Sequence, residues 1–167
     1  MPTTTGSATV TLPEDNQILI SREFDAPAHL VWQAWTTPEL VKKWWAGKRG
    51  NVTLVEIDLR VGGKWRYVMN ATEGFEVGFH GEYKELVENE RMVSTEVYEG
   101  LPPEMGDPDD LAALNTLTLT ERDGRTTLEV LVEHKTKEQR DGHIESGMEG
   151  GMQESMDALE EVAVSLK

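Results

Sequence analysis

The side chains of this sequence that are best suited to proton transfer are its four histidines. His29 and His143 lie in acidic stretches with helical spacing, and His80 lies on the polar face of a strand, which predicts that all three are solvated. His134 shares a strand face with three apolar residues, so an inward-facing strand would place its imidazole at the edge of the interior, ready to act as an acid or base. The alternative is a histidine that is hydrogen-bonded at a strand end. No catalytic residue is predicted beyond His134 as a weak candidate.

Two further charged residues alternate with apolar or small neighbours along predicted strands. Glu96 shares a face with Met92 and Ser94, and burial of that face would raise the pKa of its carboxyl and make it a functional candidate. Arg22 shares a face with three large apolar residues. Its guanidinium either anchors an acidic ligand or extends to the edge of the strand, and the sequence leaves both alternatives open.

The sequence lacks the common signatures of metal and cofactor chemistry. It contains no cysteine, no zinc-binding HExxH, no glycine-rich phosphate loop and no GxSxG nucleophile motif. No second histidine or carboxylate falls at ligand spacing beside His134. The sequence therefore predicts neither a metal nor a cofactor.

The charge balance argues against two classes of partner. The formal net charge is -15, whereas nucleic acids and anionic membranes attract clustered Lys and Arg. The one basic cluster, at residues 42–49, is short and interleaved with two tryptophans. No apolar run approaches the roughly 18 residues of a membrane span, and the N-terminus lacks the features of a signal peptide. We therefore predict a cytoplasmic protein that binds neither nucleic acid nor membrane.

The long amphipathic segment at 147–166 is the element around which the remaining chain can be organised. Met148, Met152 and Met156 recur every four residues on one side, and acidic residues occupy the opposite side. A row of small residues beside the methionines predicts a close approach of the helix backbone to a sheet. The methionine row is either ordinary core or the lining of a cavity that accepts more than one shape.

The remaining pattern predicts an α+β domain at 17–167, preceded by a flexible segment at 1–16 with a possible short strand near Val10. One strand is followed by two short helices at Pro27 and Pro38, the first capped by Asp25 or its neighbour. Antiparallel strands then run to residue 134, interrupted at 100–110 by a segment that is either a flap over a cavity or an ordinary surface loop. We expect a curved antiparallel sheet of six to seven strands that wraps around the C-terminal helix.

A curved sheet around a helix leaves a space between the two that small molecules can occupy. We predict that this cavity binds a small hydrophobic or aromatic ligand. The residues predicted to line it are Trp32, Trp45, Trp65, Tyr67, Phe79, Met148, Met152 and Met156.

Four segments carry a resemblance that covers the chain from about residue 17 to its end. They are ISREFDAPAHLVWQAWTTPELVKKWW, RVGGKWRYVM, HGEYKELVENERMV and TKEQRDGHIESGMEGGMQESMDALEEV. In order and spacing the chain resembles a stand-alone SRPBCC (START-like, Bet v 1-like) protein of the AHSA1-like group, named for the C-terminal domain of the Hsp90 ATPase activator. The resemblance implies the helix-grip fold, in which a seven-stranded antiparallel sheet wraps the C-terminal helix around a deep hydrophobic cavity.

The same resemblance implies several kinds of function. Proteins of this appearance include ligand carriers, self-sacrificing resistance proteins, aromatase or cyclase-like enzymes and co-chaperone domains. Three hypotheses follow for this chain: binding of a small apolar molecule, a cyclase or hydrolase that uses His134 or a buried Glu, and an interaction with an Hsp90-type chaperone. The chain departs from the pattern at Met152, where the family usually has Trp, and at Ala46, where a Pro often follows the paired Trp.

Overall fold

The computed structural model describes residues 8–99 and 111–167, in which eight strands and four helices are found. In chain order they are β1 (Thr9–Thr11), β2 (Gln17–Phe24), α1 (Ala28–Thr36), α2 (Pro38–Trp44), β3 (Gly50–Ile57), β4 (Lys64–Ala71), β5 (Glu76–Val87), β6 (Arg91–Tyr98), β7 (Ala113–Arg122), β8 (Arg125–Glu133), α3 (Lys137–Glu145) and α4 (Met148–Ser165). The segment at 100–110, for which a flap was one prediction, lies outside the described residues. No helix in the described part of the chain is long and apolar enough to cross a membrane.

All eight strands form one antiparallel sheet in the order β1-β2-β8-β7-β6-β5-β4-β3. Strands β3 to β8 follow one another as hairpins, and β2 pairs with β8, the last strand of the chain. Helices α1 and α2 lie between β2 and β3 in the chain and so connect strands that are far apart in the sheet. The predicted α+β class, antiparallel sheet, two short helices and long C-terminal helix are confirmed.

The predicted count of six to seven strands is wrong, because β1 adds an eighth strand. Residues Thr9–Thr11 pair with Leu19–Ser21 of β2, at the position where a short strand near Val10 was considered. Three residues are too few to show the alternating pattern by which the longer strands were recognised. The division of the chain after residue 16 stays a prediction.

The first helices start as their prolines suggest, but the predicted cap is absent. Pro38 is the first residue of α2, where its missing N–H and fixed φ fit the helix. Pro27 immediately precedes α1, and no side chain caps this helix, so the prediction for Asp25 is wrong. The first backbone N–H of α1, at Ala28, instead donates to Glu121 Oε1 of β7 at 2.7 Å. A long-range carboxylate therefore stabilises the helix start.

The core lies between one face of the sheet and the helices. Ile18 and Phe24 of β2 are fully buried, together with Leu128 of β8. Leu159 of α4 and Val31 of α1 close this region from the other side. The C-terminal part of α4 is thus packed into a filled interior.

The row of small residues on α4 lies against the end of α2, and the predicted close approach to the sheet is wrong. Ser155 Oγ donates to the carbonyl of Trp45 at 2.7 Å. A Cβ atom on Gly151 would lie 3.1 Å from Arg49 Cζ, so the absence of a side chain leaves room for this guanidinium. The small residues therefore make space for the turn after α2.

Candidate functional site: a cavity between the sheet and α4

A cavity of about 340 Å³ lies between the sheet and the N-terminal part of α4. Six strands, α1, α2 with the turn after it, α3 and α4 contribute side chains to its wall. The lining residues are Ile20, Trp35, Trp44, Trp45, Ala46, Arg49, Trp65, Tyr67, Met69, Phe79, Tyr83, Met92, Ser94, Glu96, Asn115, Leu117, Val130, Val132, His143, Met148, Gly151, Met152, Ser155 and Met156. Most of this surface is aromatic or aliphatic, as in sites for small apolar molecules.

One wall of the cavity is a cluster of aromatic rings. Trp65 and Tyr67 alternate along β4 and point to the same face, and Phe79 lies opposite Tyr67 on β5. The ring centroid of Trp45 lies 5.4 Å from that of Tyr67 and 5.8 Å from that of Phe79, in edge-to-face geometry. The Trp65 indole fits because residue 81 is glycine, where a Cβ atom would come within 2.6 Å of Trp65 Nε1.

The opposite wall is formed by the methionine row of α4. Met156 is buried, and Met148 and Met152 are half-buried; all three line the cavity. Seven of the eight residues predicted to bind the ligand therefore line one space, although their role in binding stays a prediction. The exception is Trp32, which is buried in the core and does not line the cavity. Trp35, one helical turn later, lines the cavity instead. Because both positions are Trp, the sequence does not indicate which of the two faces the cavity.

Three polar side chains lie together on the cavity face of β6 and β7. Ser94 pairs directly with Asn115, and Glu96 lies two residues further along β6. Burial raises the pKa of the Glu96 carboxyl, and a hydrogen bond from the Asn115 side chain acts in the opposite direction. Asn115 Oδ1 is buried and has no hydrogen-bond partner. Glu96 thus meets the prediction for a carboxyl that faces the interior.

Two histidines contact each other where α3 borders the cavity. His134 Nε2 and His143 Nδ1 are 3.0 Å apart, so one ring donates a hydrogen bond to the other. His143, not His134, belongs to the cavity wall, and its predicted solvation is wrong because it is half-buried. Burial, followed by the charges of His143 and Arg140, lowers the pKa of His134 to about 4. Burial also lowers the pKa of His143, and both imidazoles are therefore neutral at pH 7.

The other two histidines lie at the surface, as predicted. His29 is exposed on α1. His80 Nδ1 lies 2.7 Å from Glu99 Oε2, with both side chains partly in solvent. Neither residue lines the cavity.

Arg22 is a structural residue outside the cavity. Its guanidinium is buried and pairs with Glu160 at 3.1 Å and with Asp157 at 3.0 Å, both on α4. The second carboxylate oxygen of Glu160 accepts a hydrogen bond from the backbone N–H of Asp25 at 2.9 Å. Both sequence alternatives, a ligand anchor and an Arg that reaches the strand edge, are therefore wrong.

The described residues contain no group of three or more side chains that could hold a metal ion. The two neighbouring histidines lack a third ligand of this kind.

The chain is similar to one known family and to several proteins of solved structure. The model of the family described as "Activator of Hsp90 ATPase homolog 1-like protein" matches residues 25–163. A protein of Nitrosomonas europaea is 27% identical with a TM-score of 0.80, and the match covers 92% of this chain and 97% of that one. No protein with a curated description matches.

Two further solved structures are similar over nearly their whole length. A protein of Arthrobacter aurescens is 25% identical with a TM-score of 0.81, covering 94% of this chain and 91% of that one. A protein of Rhodobacter sphaeroides is 24% identical with a TM-score of 0.83, covering 95% and 99%. The last likeness carries information about the fold alone.

Proposed function

Because the chain belongs to the activator of Hsp90 ATPase homologue 1-like family, we propose that it is a helix-grip protein that binds a small hydrophobic or aromatic molecule. The observation that carries the proposal is the cavity of about 340 Å³ with its aromatic wall on β4 and β5 and its methionine wall on α4. Side chains from six of the eight described strands and from α4 face this one space, which supports a curved sheet gripping the helix.

The chemistry of the two walls suits an apolar ring system. An aromatic molecule that buries about 200 Å² of apolar surface gains about 5 kcal/mol at roughly 25 cal/mol per Å², before the entropy cost of association. Edge and face contacts with Trp45, Tyr67 and Phe79 favour flat guests. The flexible side chains of Met148 and Met152 adapt to guests of different outline.

A cavity-filling variant tests the proposal. We expect 2-naphthol or a related two-ring compound to raise the Tm of the protein and to bind in isothermal titration calorimetry. Met152→Trp should fill part of the cavity and weaken binding at least tenfold, because the added indole occupies space the guest needs.

The matched control is Glu161→Trp, which adds the same side chain to the exposed side of α4. This variant should bind the compound as the unmodified protein does. If none of a panel of two-ring aromatics, flavonoids and medium-chain fatty acids binds, or if Met152→Trp binds as well as the control, the proposal is wrong.

A second candidate function is catalysis of cyclase or hydrolase type in the same cavity. It is favoured by the presence of Glu96 and His143, two groups capable of proton transfer, in one cavity wall. A cavity binder should then be recovered chemically changed, and Glu96→Gln should abolish the change without abolishing binding. Recovery of every bound compound unaltered by mass spectrometry would rule this candidate out. An interaction with an Hsp90-type chaperone stays a prediction.

A further inference from the structure

The cavity wall contains one cationic side chain, that of Arg49, in the turn between α2 and β3. Arg49 is exposed, so its guanidinium lies at the rim of the cavity and not in its depth. Trp45 of the aromatic wall and Met152 of the methionine wall line the same cavity, and Met152 follows Gly151, beside which the guanidinium lies. A guest held between these walls would therefore have one end within reach of a positive charge.

The guanidinium of Arg49 makes no ion pair or hydrogen bond with any described residue. Each of the other seven arginines has an ion pair with a carboxylate. A nearby carboxylate, Glu154 of α4, instead accepts the backbone N–H of Lys48 at 3.1 Å. Among the described residues, the donors of Arg49 are thus left available to a ligand.

Two glycines of α4 leave the space that this guanidinium occupies at the rim. A Cβ atom on Gly150 would lie 2.9 Å from an Arg49 terminal nitrogen, and one on Gly151 would lie 3.1 Å from Nε and Cζ. Both distances are too short for comfortable contact, so alanine at either position would move the guanidinium. Since glycine lowers the stability of a helix by about 1 kcal/mol relative to alanine, the pair has a packing role here.

In the part of the chain that the structure describes, the remaining lining of the cavity offers no other Lys or Arg side chain. Glu96 faces it from β6, on a different element from Arg49. A negatively charged group directed inward would meet this carboxyl and an apolar lining, whereas the same group directed outward would meet Arg49. The distribution of charge therefore sets an orientation for a guest that carries one acidic group.

We propose that the guest is an apolar carboxylic acid whose ring or chain fills the cavity and whose carboxylate pairs with Arg49 at the rim. The planar guanidinium can bind a carboxylate through two parallel hydrogen bonds, a geometry that a lysine does not offer. This proposal rests on the proposed function and adds the chemical class of the ligand.

Two probes of one shape separate the charge from the apolar body: 2-naphthoate, which carries the carboxylate, and 2-naphthol, which does not. Arg49→Gln should weaken 2-naphthoate binding about two- to fivefold, the upper part of the range for a charge pair at an exposed site, and leave 2-naphthol binding unchanged. Added salt should weaken 2-naphthoate binding to the unmodified protein and not to Arg49→Gln.

Matched controls exclude general effects of charge and helix stability. Arg60→Gln removes the same charge from the exposed turn before β4 and should alter neither affinity. Gly151→Ala should weaken 2-naphthoate by displacing Arg49, whereas Gly142→Ala in α3, where a Cβ atom meets nothing within 4 Å, should not.

The outcomes separate this proposal from the one before it. If neither probe nor any compound of the panel above binds the unmodified protein, the proposed function fails. If both bind and Arg49→Gln changes neither affinity, or changes both equally, the ligand class proposed here is wrong while the binding function stands.

Discussion

The two halves of α4 differ in how deeply their side chains are buried. In the C-terminal half, Leu159 and Ala163 are fully buried and Glu160 is 1% exposed, bound to Arg22. In the N-terminal half, Met152 is half-buried over the cavity, and Gly151 makes room for the Arg49 side chain from the turn after α2. One end of the helix is therefore fixed in a filled core, and the other forms an adaptable wall. A single helix can thus anchor the fold and also line the site, because its residue types change along its length.

Removal of the buried ion pair at the anchored end should cause the largest loss of stability. Glu160→Ala should lower the free energy of unfolding by about 3–5 kcal/mol in urea, because Arg22 then keeps a buried charge with only the exposed Asp157 as partner. The double variant Arg22→Met/Glu160→Leu should lose less than Glu160→Ala, since no charge remains unpaired. A loss below about 1 kcal/mol for the single variant would mean that this end is not an anchor.

A second test compares equivalent truncations on the two halves. Leu159→Ala should cost about 2–5 kcal/mol of unfolding free energy, because it opens a cavity in a filled core. Met152→Ala should cost about 1 kcal/mol or less, because its side chain is only half-buried and already borders a cavity. If the two variants lose the same free energy of unfolding in urea, the two halves do not differ in packing.

The smallest expected effect is a pH dependence confined to the cavity end. The pKa of His134 is lowered from its usual 6.5 to about 4 in the folded protein, so the unfolded chain binds more protons between these values. The free energy of unfolding should therefore fall as the pH drops from about 6.5 to about 4, by about 1–3 kcal/mol.

His134→Gln should flatten this part of the profile relative to the unmodified protein, whereas His29→Gln, at an exposed site, should not. Burial raises the pKa of Glu96 and gives a contribution of opposite sign, lost stability as the pH rises above about 4.5. The difference between variant and unmodified protein removes this contribution. Identical profiles for the two histidine variants would assign the pH dependence to other groups.

Local periodicity predicted the elements well, because each helix and long strand shows its buried face in its own residues. The alternation in β2 and the methionine spacing in α4 both identified the side that faces the interior. Eight strands were found where six to seven were predicted, since the pairing of Thr9–Thr11 depends on β2 and not on its own pattern.

Contacts between distant segments could not be predicted in this way. Arg22 and Glu160 are 138 residues apart, and neither neighbourhood indicates the other. His143 was placed in solvent because its own segment is polar; its burial follows from the position of α3 beside the end of β8, where His134 contacts it. The choice of Trp35 over Trp32 likewise depends on how α1 is rotated against the sheet.

The pairing of β2 with β8 has a consequence for the route by which the chain folds. Thr126 Oγ1 donates to the carbonyl of Ala26 at 2.7 Å across a separation of 100 residues. The hairpins of β3 to β8 can form between strands that are neighbours in the sequence. Strand β2 gains a partner other than β1 only after β8 has formed. Closing so long a loop is slow compared with hairpin formation. A nascent chain would thus leave β1 and β2 unsettled until nearly the whole domain had been synthesised.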